Sequence, residues 1–235
     1  MTARILLSGG GTGGHVTPAL ATAQALKALR PDLEVEFAGT ADRLEATLVP
    51  AAGWRLHTVP ARPLRRSLSP SNLAVPAVVL SSALSLRRLM RARGVVAAAA
   101  FGGYTAGPLA AAALLARIPL VLHEQNAVPG LANRVAARWA RKVAISVPGV
   151  ERRFPHPERV VFTGNPVRAE VRRVAASDLQ ALRVEAAATF GLRPDLRTLL
   201  VFGGSLGAER LNSAVVGAAA GLAALGDVQV VHAAG

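Results

Sequence analysis

"ILLSGGGTGGHVTP", Ile5 to Pro18, decides the fold. An apolar run that breaks into glycine and resumes as a helical pattern reads as the turn of a strand–loop–helix unit. Such a turn points backbone N–H groups at a ligand beside the positive end of the helix, and so offers an anion site. Gly9, Gly11 and Gly14 satisfy G-x-G-x-x-G, a pattern that is weak by itself. A dinucleotide enzyme adds an acidic residue at the end of the second strand; here that strand ends Ala38-Gly39-Thr40, and Asp42 is the nearest acid. No Gly-Lys-Ser/Thr occurs anywhere, which excludes a P-loop. The expectation is a phosphate-cradling loop not built for NAD. His15 stands in the first helical turn, either aimed at that anion or acting as a capping or core histidine.

Outward from this stretch, short apolar runs recur at Arg4 to Ser8, Glu34 to Ala38, Val95 to Ala100, Pro119 to His123, Lys142 to Ser146 and Arg159 to Thr163. Helical patterns such as Pro18 to Leu29 and Gly107 to Arg117 lie between them. Alternation of this kind predicts a doubly wound α/β domain with a parallel sheet covered on both faces. Ligands in such sheets bind beyond the carboxyl ends of the strands. The residues there read "GGGTGGH", "FGGYTAGP" (Phe101 to Pro108), "HEQNAVPG" (His123 to Gly130) and "TGNPVR" (Thr163 to Arg168).

A polar helix, about Ser177 to Thr189, leads to a second start, "TLLVFGGSLGAERLN", Thr198 to Asn212. It echoes the opening motif: an apolar strand, two glycines, a hydroxyl residue (Thr12 and Ser205) and a further glycine (Gly14 and Gly207). Two nucleotide-type units in tandem are expected, with a linker near Val167 to Ala176. The second unit supplies one helix, roughly Ala208 to Leu225, and one further strand, Val228 to His232. A unit of this type needs on the order of 100 residues to close a core, so the C-terminal half is expected to be incomplete.

Composition narrows the class. With 235 residues, 51% hydrophobic, and a mean hydropathy of +0.37, the chain can bury a core and is not of disordered type. The absence of cysteine excludes thiolate catalysis and disulfide scaffolds, and fits a reducing compartment. A net charge of +13 suits nucleic acid, an anionic membrane or phosphorylated substrates, but only 4% of residues are aromatic, which argues against single-stranded nucleic acid. The longest apolar stretch, Leu73 to Leu86, is broken by Pro76 and is too short to span a bilayer, which needs about 20 apolar residues. It could lie in an interface.

Three further features carry chemistry. "HEQN" gathers an imidazole, a carboxylate and two amides at one strand tip; Glu124 and Asn126 suit the hydroxyls of a sugar-like ligand, and His123 has a structural alternative. Arg168 ends "GNPVR", where Asn165-Pro166 forces a turn, and suits a phosphate clamp. The segment Asn72 to Gly94 runs from an apolar half into Arg87, Arg88, Arg91 and Arg93, which suits either a packed helix with a solvated basic end or contact with an anionic membrane. No Asp-x-Asp and no metal-spaced cluster occurs, so a metal-held diphosphate is not expected.

"GGGTGGHVTPALA", "FGGYTAGP", "VLHEQNAVPGLANR", "FTGNPVR" and "FGGSLGAERLN", in this order, closely resemble the MurG family of bacterial N-acetylglucosaminyltransferases, over the whole length of the chain. The resemblance implies a GT-B architecture: an N-terminal Rossmann-like acceptor and membrane-associating domain over residues 1–166, a linker and interdomain helix over 167–196, and the start of a UDP-GlcNAc-binding domain over 197–235. It implies inverting transfer of GlcNAc from UDP-GlcNAc to the C4 hydroxyl of the MurNAc of lipid I, forming lipid II without a cofactor or a structurally required metal. It further implies a peripheral position on the cytoplasmic face of the inner membrane. The implied partners are UDP-GlcNAc, lipid I, the anionic membrane surface and other cell-wall synthesis proteins, with no nucleic acid.

By position, the resemblance places Thr12, Gly13, Gly14, Asn126, Arg168 and Ser205 at the UDP-GlcNAc donor, and Gly102, Gly103 and Tyr104 at the acceptor or the cleft. His15 is the first candidate for catalytic base and Glu124 the second. Leu73, Val79, Leu80, Arg87, Arg88 and Arg91 match the membrane patch. The family's uracil and ribose contacts fall beyond Gly235, so this chain is expected to bind donor weakly and turn over little. The competing readings are a non-catalytic membrane-surface protein of the same fold and a nicotinamide-dependent oxidoreductase, the latter disfavoured by the missing ribose acid.

Overall fold

The computed structural model describes residues 3–61, 75–203 and 207–235, divided into two compact units, Met1–Ala169 and Glu170–Gly235. The first holds seven strands: β1 (Arg4–Ser8), β2 (Glu34–Gly39), β3 (Arg55–Thr58), β4 (Val95–Ala100), β5 (Leu120–Glu124), β6 (Lys142–Ile145) and β7 (Val160–Phe162). They form one sheet in the order β3-β2-β1-β4-β5-β6-β7, and every neighbouring pair is parallel. Between them run helices α1 (Gly13–Leu29), α2 (Leu44–Ala51), α3 (Val75–Arg93), α4 (Ala106–Ala116) and α5 (Leu131–Ala136).

The burial of both sheet faces explains why the strands read as apolar runs and not as alternating ones. Successive side chains of β1 point to opposite faces. Leu6 packs with Leu86 and Met90 of α3 and Leu109 of α4; Leu7 packs with Val16, Ala19 and Leu20 of α1 and Phe37 of β2. Both leucines are fully buried.

Helix α1 begins at Gly13, so that His15 stands in its first turn as expected, ahead of the helical pattern read over Pro18 to Leu29. The last glycines of the loop already form the first turn, and Pro18 lies within the helix. Among the elements not read from the sequence are α2, α5 and β3. The four residues of β3, "RLHT", carry no apolar run, because this edge strand is only half-buried.

One expectation is corrected by an ion-pair network. Arg93 does not belong to an exposed basic side with Arg87, Arg88 and Arg91. Its guanidinium turns inward to pair with Glu36, a carboxylate 4% exposed in mid-β2. His57 Nε2 lies 2.8 Å from the same carboxylate, Arg4 Nε 3.4 Å from it, and Arg4 also donates to the Arg93 carbonyl. Burial raises the proton affinity of Glu36, but hydrogen bonds from Arg93 and His57 outweigh it and hold the carboxyl below its ordinary range.

The second unit contains α7 (Leu179–Phe190), β8 (Arg197–Phe202), α8 (Glu209–Ala224) and β9 (Val228–Ala233), with α6 (Ala169–Ala176) at the division and within the stretch expected as linker. β8 and β9 pair in parallel across α8, as a strand–helix–strand crossover requires. Asp178 caps α7 by accepting from the Gln180 N–H at 2.9 Å. Leu200 and Phe202 of β8 are 59% and 65% exposed.

Candidate active site

The strand order reverses between β1 and β4, and three distinctive turns follow β1, β4 and β5 at their carboxyl ends, where the doubly wound topology opens a crevice. The first two turns meet backbone to backbone. A β-carbon at Gly103, whose φ is +76°, would fall 2.1 Å from the Gly10 carbonyl oxygen. Beside this contact the Phe101 N–H donates to the Ser8 carbonyl at 2.7 Å, and the Ser8 hydroxyl donates to Thr105 Oγ1 at 2.8 Å.

Below the first turn lies a carboxylate that the sequence reading missed. Glu45, 1% exposed at the start of α2, accepts from the Gly11 N–H at 3.0 Å, the Thr40 N–H at 3.1 Å and the Thr40 hydroxyl at 2.8 Å. The Gly11 N–H is therefore committed to an internal anion. The anion site expected of the whole loop narrows to the first turn of α1, where the N–H groups of Gly13 and Gly14 have no intrahelical acceptor. Thr12 and Gly14 are exposed there.

His15 projects from that turn. Its Nδ1 lies 3.1 Å from Thr12 Oγ1, and its ring packs against Gly102, where a β-carbon would come within 2.7 Å of it. Burial lowers its pKa, and the nearby carboxylates of Glu124 and Glu45 oppose this only in part, so the imidazole favours its neutral form. The Tyr104 ring covers Gly11. Burial raises the pKa of its phenol, and the neighbouring Thr40 side chain opposes this only in part.

The turn after β5 is organised around Glu124, 2% exposed. Oε1 accepts from the Asn126 N–H at 3.0 Å and from Asn126 Nδ2 at 2.9 Å; Oε2 accepts from the Gly130 N–H and from Asn133 Nδ2, each at 3.0 Å. His123 is buried and takes part in the same scaffold: its Nδ1 accepts from Gln125 Nε2 at 3.0 Å, and Nε2 donates to the Gly164 carbonyl at 3.2 Å. Asn133, in α5, was not singled out from the sequence. It is 2% exposed, it also donates to the His123 carbonyl, and its Oδ1 is buried without a partner among the described residues.

These turns border a cavity of about 630 Å³. His15, Gly102, Gly103, Tyr104, Glu124, Asn126 and Asn133 supply its polar lining, and Val79, Leu131, Val135 and Trp139 an apolar wall. Thr12, Gly13, Gly14 and Arg168 do not line it; Arg168 is exposed beyond β7. Ser205 and Leu73 lie outside the described residues. On α3, Leu80 is 57% exposed, Arg88 and Arg91 are exposed, and Arg87 Nε donates to the Leu115 carbonyl at 3.2 Å. Among the described residues no helix is long and apolar enough to cross a membrane, and no three His, Asp or Glu side chains form a metal-binding group.

Residues 5–145 match the glycosyltransferase family 28 N-terminal domain. The chain is 46% identical, over 99% of its length and 61% of the relative's, to a protein of Nocardioides sp. named UDP-N-acetylglucosamine–N-acetylmuramyl-(pentapeptide) pyrophosphoryl-undecaprenol N-acetylglucosamine transferase. It is 45% identical to the protein of the same name from Leifsonia xyli, over 97% of its length and 61% of that protein. Among solved structures it resembles Acinetobacter baumannii MurG, with a TM-score of 0.67 and 26% identity over 99% of this chain and 67% of that one. The chain thus spans about 61% of the length of these curated relatives. The fold is the α/β GT-B type, with the second Rossmann-like unit represented by two strands. On this sequence, this sheet order and these matches, the chain belongs to glycosyltransferase family 28, among its MurG members.

Proposed function

We propose that this chain carries the acceptor half of an inverting N-acetylglucosaminyltransferase, which moves GlcNAc from UDP-GlcNAc to the C4 hydroxyl of the MurNAc of lipid I. The observation that supports this reading best is the placement of His15 at the rim of a cavity with one polar side and one apolar wall, where burial also lowers its pKa. In this reading the proton sits on Nδ1, toward Thr12 Oγ1 3.1 Å away, which leaves the lone pair at Nε2 for the acceptor. The acceptor hydroxyl oxygen attacks the anomeric carbon of GlcNAc, the bond to UDP breaks on the opposite face, and the hydroxyl proton passes to Nε2. Attack opposite an α-linked leaving group gives the β-linked product through an oxocarbenium-like state.

In this reading Glu124 is a positioning residue. Its four accepted hydrogen bonds hold Asn126 and Asn133 at the cavity, and its charge steadies the imidazolium formed at His15. Thr12, Gly13, Gly14, Asn126, Arg168 and Ser205 serve the donor, and the first turn of α1 faces its diphosphate. Tyr104, Gly102 and Gly103 serve the acceptor. Lipid I is a membrane lipid, so the protein works at the cytoplasmic membrane face, and α3 with Val79, Leu80, Arg87, Arg88 and Arg91 touches that surface.

The test is binding of a short-chain lipid I analogue to the chain by calorimetry, followed by GlcNAc transfer to the same analogue. Saturable binding that weakens at least tenfold in Tyr104→Ala is expected. An analogue that does not bind, or binds the variant equally well, refutes the acceptor-half assignment.

A further inference from the structure

A smaller cavity, of about 410 Å³, opens at the carboxyl ends of β2 and β3, the same end of the sheet as the crevice. One side is the turn from Thr40 to Asp42, and the other is the stretch from Thr58 to Ala61. Both sides are held in place: the Val59 N–H donates to the Gly39 carbonyl at 2.9 Å, and the Ser82 hydroxyl of α3 donates to the Pro60 carbonyl. Asp42 is the one charged group among the described lining residues, and its side chain is 72% exposed. Two residues join this cavity to the larger one. Glu45 accepts from the N–H groups of Gly11 and Thr40, and so clasps the turn after β1 to the turn after β2. Tyr104, whose ring covers Gly11 and lines the larger cavity, brings its phenol beside the Thr40 side chain and within electrostatic range of Asp42. A ligand in the larger cavity meets the smaller one just beyond Tyr104.

We propose that this smaller cavity receives the peptide arm of the acceptor. The inference rests on the acceptor-half reading above and adds a specificity subsite to it. The acceptor in the relatives' names is a sugar that carries both a pentapeptide and a pyrophosphoryl lipid. The lining discriminates between these arms. No cation among the described lining residues is there to take a pyrophosphate, and Asp42 repels one. The apolar residues, Ala41, Val59, Pro60 and Ala61, are small and give a long hydrocarbon chain little cover. A peptide suits them: its amides meet the main chain of the Thr40–Asp42 turn and the exposed Thr58 hydroxyl, and an ammonium group on it pairs with Asp42. Reach also fits. From β4 to β3 is three strand spacings, roughly 14 Å, and an extended pentapeptide spans at most about 17 Å.

The experiment is calorimetric binding of two short-chain acceptor analogues to the full chain, identical except that one lacks the peptide. The wild type should bind the pentapeptide form on the order of tenfold more tightly, the worth of one or two well-placed polar contacts. Ala41→Trp fills the cavity from an exposed position. It should abolish that preference and leave the affinity for the peptide-free analogue as it is in the wild type. Where a thermal melt shows that Ala41→Trp does not fold, Asp42→Asn/Thr58→Val takes its place, since it alters two exposed polar groups and adds no bulk. Equal binding of the two analogues by the wild type overturns the peptide subsite and leaves the acceptor-half reading standing. So does a folded variant that keeps the preference, or one that weakens both analogues equally. No binding of either analogue overturns both readings.

Discussion

The imidazole of His15 occupies the space that any side chain at Gly102 would need: a β-carbon there would lie 2.7 Å from the ring. Gly102 also has a φ of +90°, a conformation that costs other residues on the order of 1–3 kcal/mol. Gly102→Ala should therefore push the ring off its seat, lowering GlcNAc transfer at least tenfold in a transfer-competent enzyme and the melting temperature by a few degrees. Full activity in a folded Gly102→Ala variant would show that the seat does not matter.

Glu124→Gln separates positioning from base chemistry. Gln replaces one acceptor oxygen with an N–H group that faces two N–H donors, so the turn from Gln125 to Asn133 should loosen, at about 1–3 kcal/mol. The expected result is a lower melting temperature and weaker acceptor binding, with the acid limb of the rate profile still that of His15. Transfer abolished at unchanged stability, together with loss of that limb, would make Glu124 the base instead.

Burial depresses the pKa values of both His15 and His123. The unfolded chain therefore binds protons more readily than the folded one as the pH falls below about 6.5, the ordinary histidine value. The stability contributed by these two groups is fully present above that pH and declines as the pH drops through their folded values. Melting temperatures between pH 8 and pH 5 should fall for the wild type, and fall less for His15→Gln/His123→Gln. Activity should follow the neutral form of His15 and persist below pH 6.5 before it declines.

Glu36→Gln removes the anion that Arg4, Arg93 and His57 share. Breaking a fully buried pair costs about 3–5 kcal/mol; the partners here are partly exposed, which reduces the expected loss to roughly 2–3 kcal/mol, readable in urea denaturation. The carboxyl's pKa is held below its ordinary range, so the stability it contributes is present above about pH 4.5 and lost as the pH falls through its folded value.

The sheet was legible because parallel strands buried on both faces leave continuous apolar runs, and the polar lining of the cavity in part because His15, Tyr104, Glu124 and Asn126 fall just after those runs. Glu45 and Glu36 were not legible. An acid in the first turn of a helix, or alternating with apolar residues in a strand, looks in sequence like ordinary surface charge; only the assembled fold shows what donates to it. Asn133 was hidden in the same way, within "LANR". Arg93 shows the reverse error: helical spacing put it with its basic neighbours, whereas the Glu36 carboxylate drew it inward.

The contact between Gly10 and Gly103 has a mechanical consequence. Two turns that touch through their main chains, with no room for a side chain between them, cannot flex independently, so the rim of the cavity behaves as one stiff frame. On the function proposed above, discrimination among acceptors would fall to the side chains hung on that frame, above all Tyr104 and His15. An inhibitor designed against it can take the frame as fixed and seek its selectivity from those two rings.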